Sequence, residues 1–143
     1  MILFRVMRED LDGFQILDQE QCRSLVQRVN VGRIALTHRA MPLILPVTFG
    51  LADPDLIVSV GAGVLADAAA QSQIVCFQSD WLDPEAIASW SVSVIGRLAP
   101  LVTESEIQLA HELGIKPWSS AEQRYARLSP EFTTGRARGL QLF

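Results

Sequence analysis

The sequence is poor in the residues that support several common kinds of functional site. Lys116 is its only lysine, and 12 Lys and Arg residues against 16 Asp and Glu residues give a net charge of −4 and a pI near 5.1. Proteins that bind nucleic acid neutralise phosphates with clustered Lys and Arg, so we expect no nucleic-acid partner. Any bound anion must be held by arginine or by backbone N–H groups.

Cysteine and histidine are equally scarce. The two cysteines, Cys22 and Cys76, are too few and too far apart for a disulfide framework or a zinc site, and their apolar surroundings predict small core residues. His38 and His111 have no Cys, His or Asp neighbours at ligand spacing, which favours surface histidines. No serine stands in a nucleophile elbow. We therefore expect no metal site and no hydrolytic triad.

Long apolar runs are also missing. No run reaches the roughly 20 residues that cross a bilayer, and the apolar start is short and interrupted by Arg5, which is unlike a signal peptide. These features and the free cysteines predict a soluble cytoplasmic protein with no membrane partner. Hydrophobic residues nevertheless make up 49% of the sequence, which predicts a substantial core. The length of 143 residues predicts a single domain over residues 1–143.

The most informative stretch is Val31–Gly61, which reads as three short strands joined by two turns. Apolar residues alternate in the first strand, and Asp53-Pro54-Asp55 is typical of the second turn. Pro46 interrupts the second strand, and because proline has no N–H for the ladder, it belongs at an edge, at a bulge or where pairing stops. It either protects an edge from aggregation or leaves backbone groups free to face something other than a strand.

The remaining elements are predicted from caps and periodicity. Capping boxes at Asp18 and Thr103 begin two helices, and we expect the first helix to end near Asn30 and Gly32. An alanine-rich helix is predicted over residues 64–72, and strands over 74–77, 87–98 and 125–128, with a loop over 79–85 and an end to the last strand at Ser129-Pro130. The sequence thus predicts a mainly β, mostly antiparallel domain with two or three short helices.

A few residues carry possible chemistry. Gly61-Ala62-Gly63 before a helix is either an ordinary turn or a place where backbone N–H groups approach a phosphate. Arg97 needs a partner if it is buried in its strand. Arg136 and Arg138 either neutralise an anion or lie on a solvated tail.

The order of the segments VGRIAL, LPVTF, a strand ending in a glycine turn and helix, WSVSVIGR, PW and SPEFTTGR is informative as a set. It is similar to the pyridoxamine 5′-phosphate oxidase-like family of flavin-binding split barrels, and it most resembles the short actinobacterial-type members. The resemblance covers roughly Leu17 to Arg136. It implies a six-stranded Greek-key split β-barrel that forms a homodimer, with two flavin mononucleotide (FMN) sites in clefts between the subunits.

The resemblance also implies which residues bind the cofactor. Along the isoalloxazine ring it implies Pro46, Val47 and Thr48. Against the ribityl phosphate it implies Ser59, Val60, Gly61, Gly63 and Leu65. The pocket is completed by Gln78, Trp90 and Ser91, with Trp118 and Arg136 from the other subunit, although packing also explains both tryptophans.

The chain departs from the family between Ser59 and Leu65. Members that hold the phosphate firmly tend to place Arg, Thr or Lys there, whereas this chain has Val60, Ala62, Val64 and Leu65. Charge-assisted hydrogen bonds of about 1.5–3 kcal/mol each are then missing. The candidates to supply them instead are Arg33, Arg97 and Arg136.

Three functions stay open from the sequence. The first is an oxidoreductase that uses FMN or the deazaflavin F420 for hydride transfer to a small-molecule substrate in the cleft. The second is a non-enzymatic dimer that binds haem or flavin, or that has lost its cofactor. The third is a structural or interaction module. Pyridoxal phosphate synthesis itself is disfavoured, since the chain has few basic residues for a second phosphate.

Overall fold

A computed structural model of the chain describes residues 8–85, 88–117 and 123–140. Within these ranges the chain forms seven strands and three helices. The strands are β1 Gln15–Ile16, β2 Val31–His38, β3 Met41–Ala52, β4 Asp55–Ser59, β5 Ile74–Leu82, β6 Ser89–Pro100 and β7 Tyr125–Arg138. The helices are α1 Gln19–Val26, α2 Val64–Ala70 and α3 Glu104–Glu112.

The strands β2 to β7 close into an antiparallel ring. Their order is β7-β4-β3-β2-β5-β6, and β6 pairs again with β7. The order β5-β2-β3-β4 within this ring is that of a Greek key, in which the fourth strand returns beside the first. The predicted six-stranded Greek-key barrel is therefore confirmed, and β1 adds a short seventh strand along β7.

Two cores hold the ring together. The main core fills its interior, where α1 contributes Cys22, Leu25 and Val26 and α2 contributes Leu65, Ala68 and Ala69. The helix α1 approaches β7 so closely that a Cβ at Gly135 would lie 2.5 Å from the Cys22 Sγ atom. A smaller core lies between α3 and the outer face of β4, and its buried members are Ile57, Leu101, Ala110, Ile115 and Tyr125.

Both predicted capping boxes are confirmed. The Asp18 carboxylate accepts from the Gln21 N–H at 2.8 Å, and the Gln21 side chain accepts from the Asp18 N–H at 3.0 Å. The Thr103 hydroxyl accepts from the Glu106 N–H at 3.2 Å. The first helix, however, ends at Val26, before the predicted end near Asn30, because the turn that follows leads directly into β2.

Two strands are longer than predicted. The segment 79–82, predicted as a loop, continues β5 because it pairs with residues 89–92 of β6. The predicted stop at Ser129-Pro130 is also wrong, since β7 continues to Arg138. A bulge accommodates the proline: Gly96 pairs with Pro130 and Ile95 with Phe132, which leaves Glu131 without an opposite residue. Arg136 and Arg138 thus lie in a strand and not on a tail.

The helices are short. The longest in the described part of the chain, α3, has 9 residues, and no described helix could span a membrane.

Candidate functional site

The outer face of the barrel carries an apolar row that crosses five strands. Residues that pair directly across strands share a face, and the pairing aligns Ile44, Ala35, Cys76, Ile95 and Phe132 from β3 to β7. We call these five residues the apolar row. Ile44 is 64% exposed and Phe132 is 61% exposed. The row is therefore a large apolar surface that faces water in the isolated chain.

A row of polar and small residues runs beside it on the same face. Its members, which we call the polar row, are Pro46, Arg33, Gln78, Ser93 and Thr134. One register step further lie Thr48 on β3, opposite Val31, and Ser91 on β6, opposite Arg136. The predicted site residues Pro46, Thr48, Gln78, Ser91 and Arg136 are thus brought to one face by four of the six ring strands, β3, β5, β6 and β7.

The strand β3 has one unpaired edge in this region. Its residues 41–48 pair with β2, whereas β4 joins it only from Phe49 onwards. Pro46 lies within the half-paired part and is exposed, so of the three positions expected for this proline the structure shows an edge. Backbone groups on that edge are available to a ligand, because no strand in the described part of the chain pairs with them.

Thr48 carries a buried hydroxyl that has no hydrogen-bond partner among the residues at 8–85, 88–117 and 123–140. Its Oγ1 atom is shielded from water and makes no hydrogen bond with any other described residue. Leaving a buried hydroxyl without a hydrogen bond costs about 1–3 kcal/mol of stability. Such a hydroxyl in a folded protein therefore calls for an explanation, such as a bound ligand, a bound water molecule or local strain. The position next to the free edge of β3 makes Thr48 a good candidate for ligand contact.

The segment from Ser59 to Leu65 turns from β4 into α2. Ser59 ends β4, is buried and pairs with Tyr125 of β7. Gly61 has a φ of +63°, which other residues adopt at a cost, and Gly63 precedes the helix without a side-chain cap. A Cβ added at either glycine would meet no atom within 4 Å, so space lies open beside both.

The other predicted residues divide into buried ones and one that the structure does not describe. Val47, Leu65 and Trp90 are 1%, 5% and 4% exposed and belong to the main core. Their side chains support the barrel, and any contact with a ligand from the outer face must come from their backbone. Trp118 lies outside the described residues.

The arginines proposed to replace the missing cations are engaged elsewhere or lie on the face itself. Arg97 donates to the Ser72 carbonyl at 2.6 Å. Arg136 lies 3.3 Å from carboxylate oxygens of both Asp10 and Asp12 and stacks over the Phe14 ring at 4.5 Å. Arg33 is exposed in the polar row.

One relevant arginine was missed from the sequence. The carbonyl of Arg124 accepts a hydrogen bond from the Val60 N–H at 2.9 Å, which ties Arg124 to the Ser59–Leu65 segment. Val60 follows β4 and Arg124 precedes β7, and 64 residues separate them in the sequence. Only the pairing of β4 with β7 would have indicated that these two residues are close.

Charges around the face are fixed by hydrogen bonds. The Phe14 N–H bond to the Asp10 carboxylate lowers the pKa of Asp10, and the bond from Arg136 adds to this effect. The Gln78 amide donates to the Asp80 carboxylate at 2.7 Å. Burial raises the pKa of the Cys76 thiol, so this member of the apolar row stays protonated near neutral pH.

The structure offers a shallow depression on this face. It has a volume of about 360 Å³ and is lined by Asp10, Ile16, Ser91, Ser93, Thr134, Gly135 and Arg136. Another cavity of about 200 Å³ lies between α1 and the bulge of β7, and none of the predicted site residues that the structure describes lines it. Among the residues that the structure describes, no group of His, Cys, Asp and Glu could hold a metal ion.

Comparison with known proteins gives the class to which this fold and face belong. The family model described as pyridoxamine 5′-phosphate oxidase matches residues 18–137. The chain therefore belongs to the pyridoxamine 5′-phosphate oxidase family, as its motifs suggested.

Individual proteins and solved structures are also similar to this chain. An uncharacterised protein of Mycobacterium tuberculosis is 32% identical over 128 residues, which cover 83% of this chain and 82% of the relative. The structure of an FAD binding protein from Mycobacterium smegmatis is similar with a TM-score of 0.72 and 28% identity, over 85% of this chain and 98% of that chain. An FAD-binding protein of Mesorhizobium loti shares the fold, with a TM-score of 0.70 and 21% identity over 87% of this chain and 96% of that one.

Proposed function

We propose that the chain forms a homodimer through its outer face and binds a flavin nucleotide in the seam between the two copies. It would act in the cytoplasm as an oxidoreductase on a small-molecule substrate. Membership of the family supports the proposal, as does the 28% identity to a structure described as an FAD binding protein. The single observation that carries it is the buried Thr48 hydroxyl, which has no partner among the described residues and lies beside the edge of β3 that no described strand pairs with.

The exposed apolar row supports dimerisation. Burying one large apolar side chain is worth about 1.5–3 kcal/mol, and both Ile44 and Phe132 are more than half exposed. Monomeric proteins rarely leave contiguous apolar surface of this kind in water. A two-fold axis through the face would bring two such rows together.

The residues next to the row fit a planar, hydrogen-bonding ligand. Free backbone groups of β3 and the Thr48 hydroxyl can pair with the polar edge of a ring. Gly61 and Gly63 leave open space where a phosphate could approach the backbone. The segment Ser59–Leu65 has no Lys or Arg of its own, and its Val60 N–H donates to the carbonyl of Arg124, which is the arginine that the backbone ties to this segment.

When bound, a flavin would supply the hydride transfer itself. The chain's residues then have to bind, orient and shield the ring. The polar row and the backbone of β3 would orient it, and the apolar row would exclude water from the seam. A function of this kind requires neither a catalytic triad nor a metal site from the chain.

Flavin is the ligand we favour over haem. The chain has two histidines, which are the side chains that most often bind haem iron. His38 ends β2 at its turn, and the ring of His111 packs on Tyr125 at 5.9 Å beside α3. Neither position belongs to the apolar or the polar row.

Titration with FMN, FAD and F420, followed by visible absorbance and flavin fluorescence, tests the proposal. We expect the wild-type protein to bind a flavin. We expect Thr48→Val, which keeps the side-chain shape but removes the hydroxyl, to weaken binding by about tenfold. The apo protein should lose no stability in this variant, because the hydroxyl has no partner to lose.

Thr37→Val is the matched control, since Thr37 is exposed on the same face of β2. Its flavin affinity should equal that of the wild type. A dimer that takes up none of the three cofactors would overturn the proposal in favour of a barrel that has lost its cofactor. Tighter binding of F420 than of either flavin would reassign the cofactor.

A further inference from the structure

The cavity between α1 and the bulge of β7 lies where the barrel wall opens. The strand β7 pairs with β4 only through residues 125–128, and from Ser129 onwards β4 no longer accompanies it. The helix α1 and the turn between β3 and β4 border the space that this leaves, which has a volume of about 200 Å³. A cavity of about 150 Å³ is enough to hold benzene, so this one has room for a hydrocarbon group of that size.

The cavity has a buried apolar floor and an exposed mouth. The floor consists of side chains that belong to the main core, namely Cys22, Val26, Leu56, Val92 and Val94. The exposed residues at the mouth are Gln19, Pro54, Glu131 and Phe132. Small-molecule sites have this composition, with mainly apolar walls and a few polar groups that fix the orientation of the ligand.

Arg23 supplies a positive charge on the α1 wall of the cavity. Its Nη2 atom lies 2.7 Å from the Oδ1 atom of Asp53, whose side chain is 78% exposed. Water weakens an ion pair as exposed as this one, so a ligand carboxylate can compete with Asp53. A guanidinium has five N–H donors in a planar fork, so Arg23 also keeps donors that Asp53 does not use.

Glu131 supplies a negative charge on the opposite wall. The bulge leaves this residue without an opposite residue on β6, and bulges of this kind redirect a side chain from the regular alternation of a strand. The Glu131 carboxylate forms no ion pair with any residue in the described part of the chain. It is therefore available to a cationic group that enters the mouth.

We infer that this cavity binds a free α-amino acid with a branched or aromatic hydrocarbon side chain. The carboxylate of the amino acid pairs with Arg23, its ammonium group pairs with Glu131, and its side chain covers the apolar floor. A zwitterion engages the charges on both walls, whereas a simple amine or a simple acid leaves one of them unused. Among the lining residues only Phe132 belongs to the apolar row, so this site is separate from the proposed flavin site.

Isothermal titration calorimetry with L-leucine and two of its fragments tests the inference on the purified protein. The fragments are 3-methylbutylamine, which lacks the carboxylate, and 4-methylpentanoate, which lacks the ammonium group. We expect L-leucine to bind with a dissociation constant of about 1 mM or below. Each fragment should bind at least about tenfold more weakly, because it loses one set of charge-assisted hydrogen bonds.

Two variants assign the charges to their partners. Glu131→Gln should weaken the binding of L-leucine about tenfold, to the affinity that the wild type has for 4-methylpentanoate. Arg23→Gln should weaken it to the affinity that the wild type has for 3-methylbutylamine. Glu112→Gln and Arg28→Gln, at exposed positions that do not line the cavity, are the matched controls and should bind L-leucine like the wild type.

Three results would overturn the inference. Failure of L-leucine to bind at millimolar concentration would remove the site. Binding of either fragment as tightly as L-leucine would exclude a zwitterion as the ligand class. Unchanged affinity for L-leucine in both charge variants, each folded by circular dichroism, would exclude this cavity as the place of binding. The titrations contain no flavin, so their outcome is independent of the proposed flavin function.

Discussion

At the scale of single residues, two buried hydroxyls have different consequences. Thr48 and Ser79 both carry a buried oxygen without a hydrogen-bond partner in the described part of the chain. Thr48 lies on the outer face, next to the edge of β3 that the proposed ligand would contact. Ser79 is 0% exposed and pairs with Val92, which belongs to the main core. The first hydroxyl therefore has a use in the proposed function, and the second only destabilises the fold.

Replacing Ser79 with alanine should stabilise the protein. The substitution removes an unpaired buried hydroxyl and leaves an aliphatic side chain in an apolar site, so we expect the free energy of unfolding to rise by about 1 kcal/mol. Urea denaturation measures this difference. Ser129→Ala, at an exposed position of β7, is the control and should change stability little. A loss of stability in Ser79→Ala would show that this hydroxyl has a partner.

Cys22 should make the fold less stable in alkaline solution. Burial raises the pKa of its thiol from 9.0 to about 11. Above pH 9 the unfolded chain releases this proton while the folded chain keeps it, so the free energy of unfolding falls as the pH rises from 9 towards 11. Below pH 9 both states are protonated and the thiol adds no pH dependence.

Denaturation of wild type and Cys22→Ala across this pH range checks the effect. The variant should lose less stability than the wild type between pH 9 and 11, whatever its stability at neutral pH. Parallel curves for the two proteins would contradict the shifted pKa. Cys76→Ala serves for comparison, since burial raises the pKa of Cys76 in the same direction.

At the scale of elements, the contact of α1 with β7 depends on a glycine. A Cβ at Gly135 would lie 2.5 Å from Cys22 Sγ and 3.2 Å from both Leu17 and Val92 side-chain atoms. We expect Gly135→Ala to cost about 1–3 kcal/mol of stability through overpacking. Thermal denaturation measures the cost.

A double-mutant cycle locates the clash. Cys22→Ala removes the sulfur that the new methyl group would meet, so the cost of Gly135→Ala should be smaller in that background. The Leu17 and Val92 contacts remain, so part of the cost should persist. Strict additivity of the two substitutions would show that α1 does not sit over Gly135.

Local sequence signals predicted the elements whose stabilising contacts are local. The capping box of Asp18 and Gln21 closes within one helical turn, and the alternation around Ile34 lies within one strand. The length of β7 could not be predicted this way. Pro130 reads as a stop, and only pairing with β6, more than thirty residues earlier, explains why the strand continues past it through a bulge.

In the candidate site, too, the sequence indicated local features but not the contacts between distant residues. Pro46 was recognisable as an irregular position because proline cannot complete a ladder. The alignment of Ile44 with Phe132 and the bond between Val60 and Arg124 depend on strand order, which no periodicity encodes. The residues expected along the cofactor came from resemblance to the family, and their contacts with a ligand stay a prediction.

At the scale of the whole molecule, the proposed function assigns both dimerisation and ligand binding to the outer face. Phe132→Glu places a charge in the apolar row, so we expect it to abolish dimerisation and flavin binding together while the barrel remains folded. Size-exclusion chromatography with light scattering and circular dichroism report these properties. Leu11→Glu is the control, because the Leu11 side chain before β1 is fully exposed. This variant should remain a dimer that binds flavin. Loss of flavin from a protein that stays dimeric would separate the two properties.

Sedimentation velocity of the protein mixed with FAD, followed both by protein absorbance and at a visible wavelength that only flavin absorbs, tests the central claim most directly. The account predicts that the flavin signal moves with a species of twice the 15.8 kDa mass of the chain. A flavin signal that stays at the meniscus, or that moves with a single chain, would contradict it.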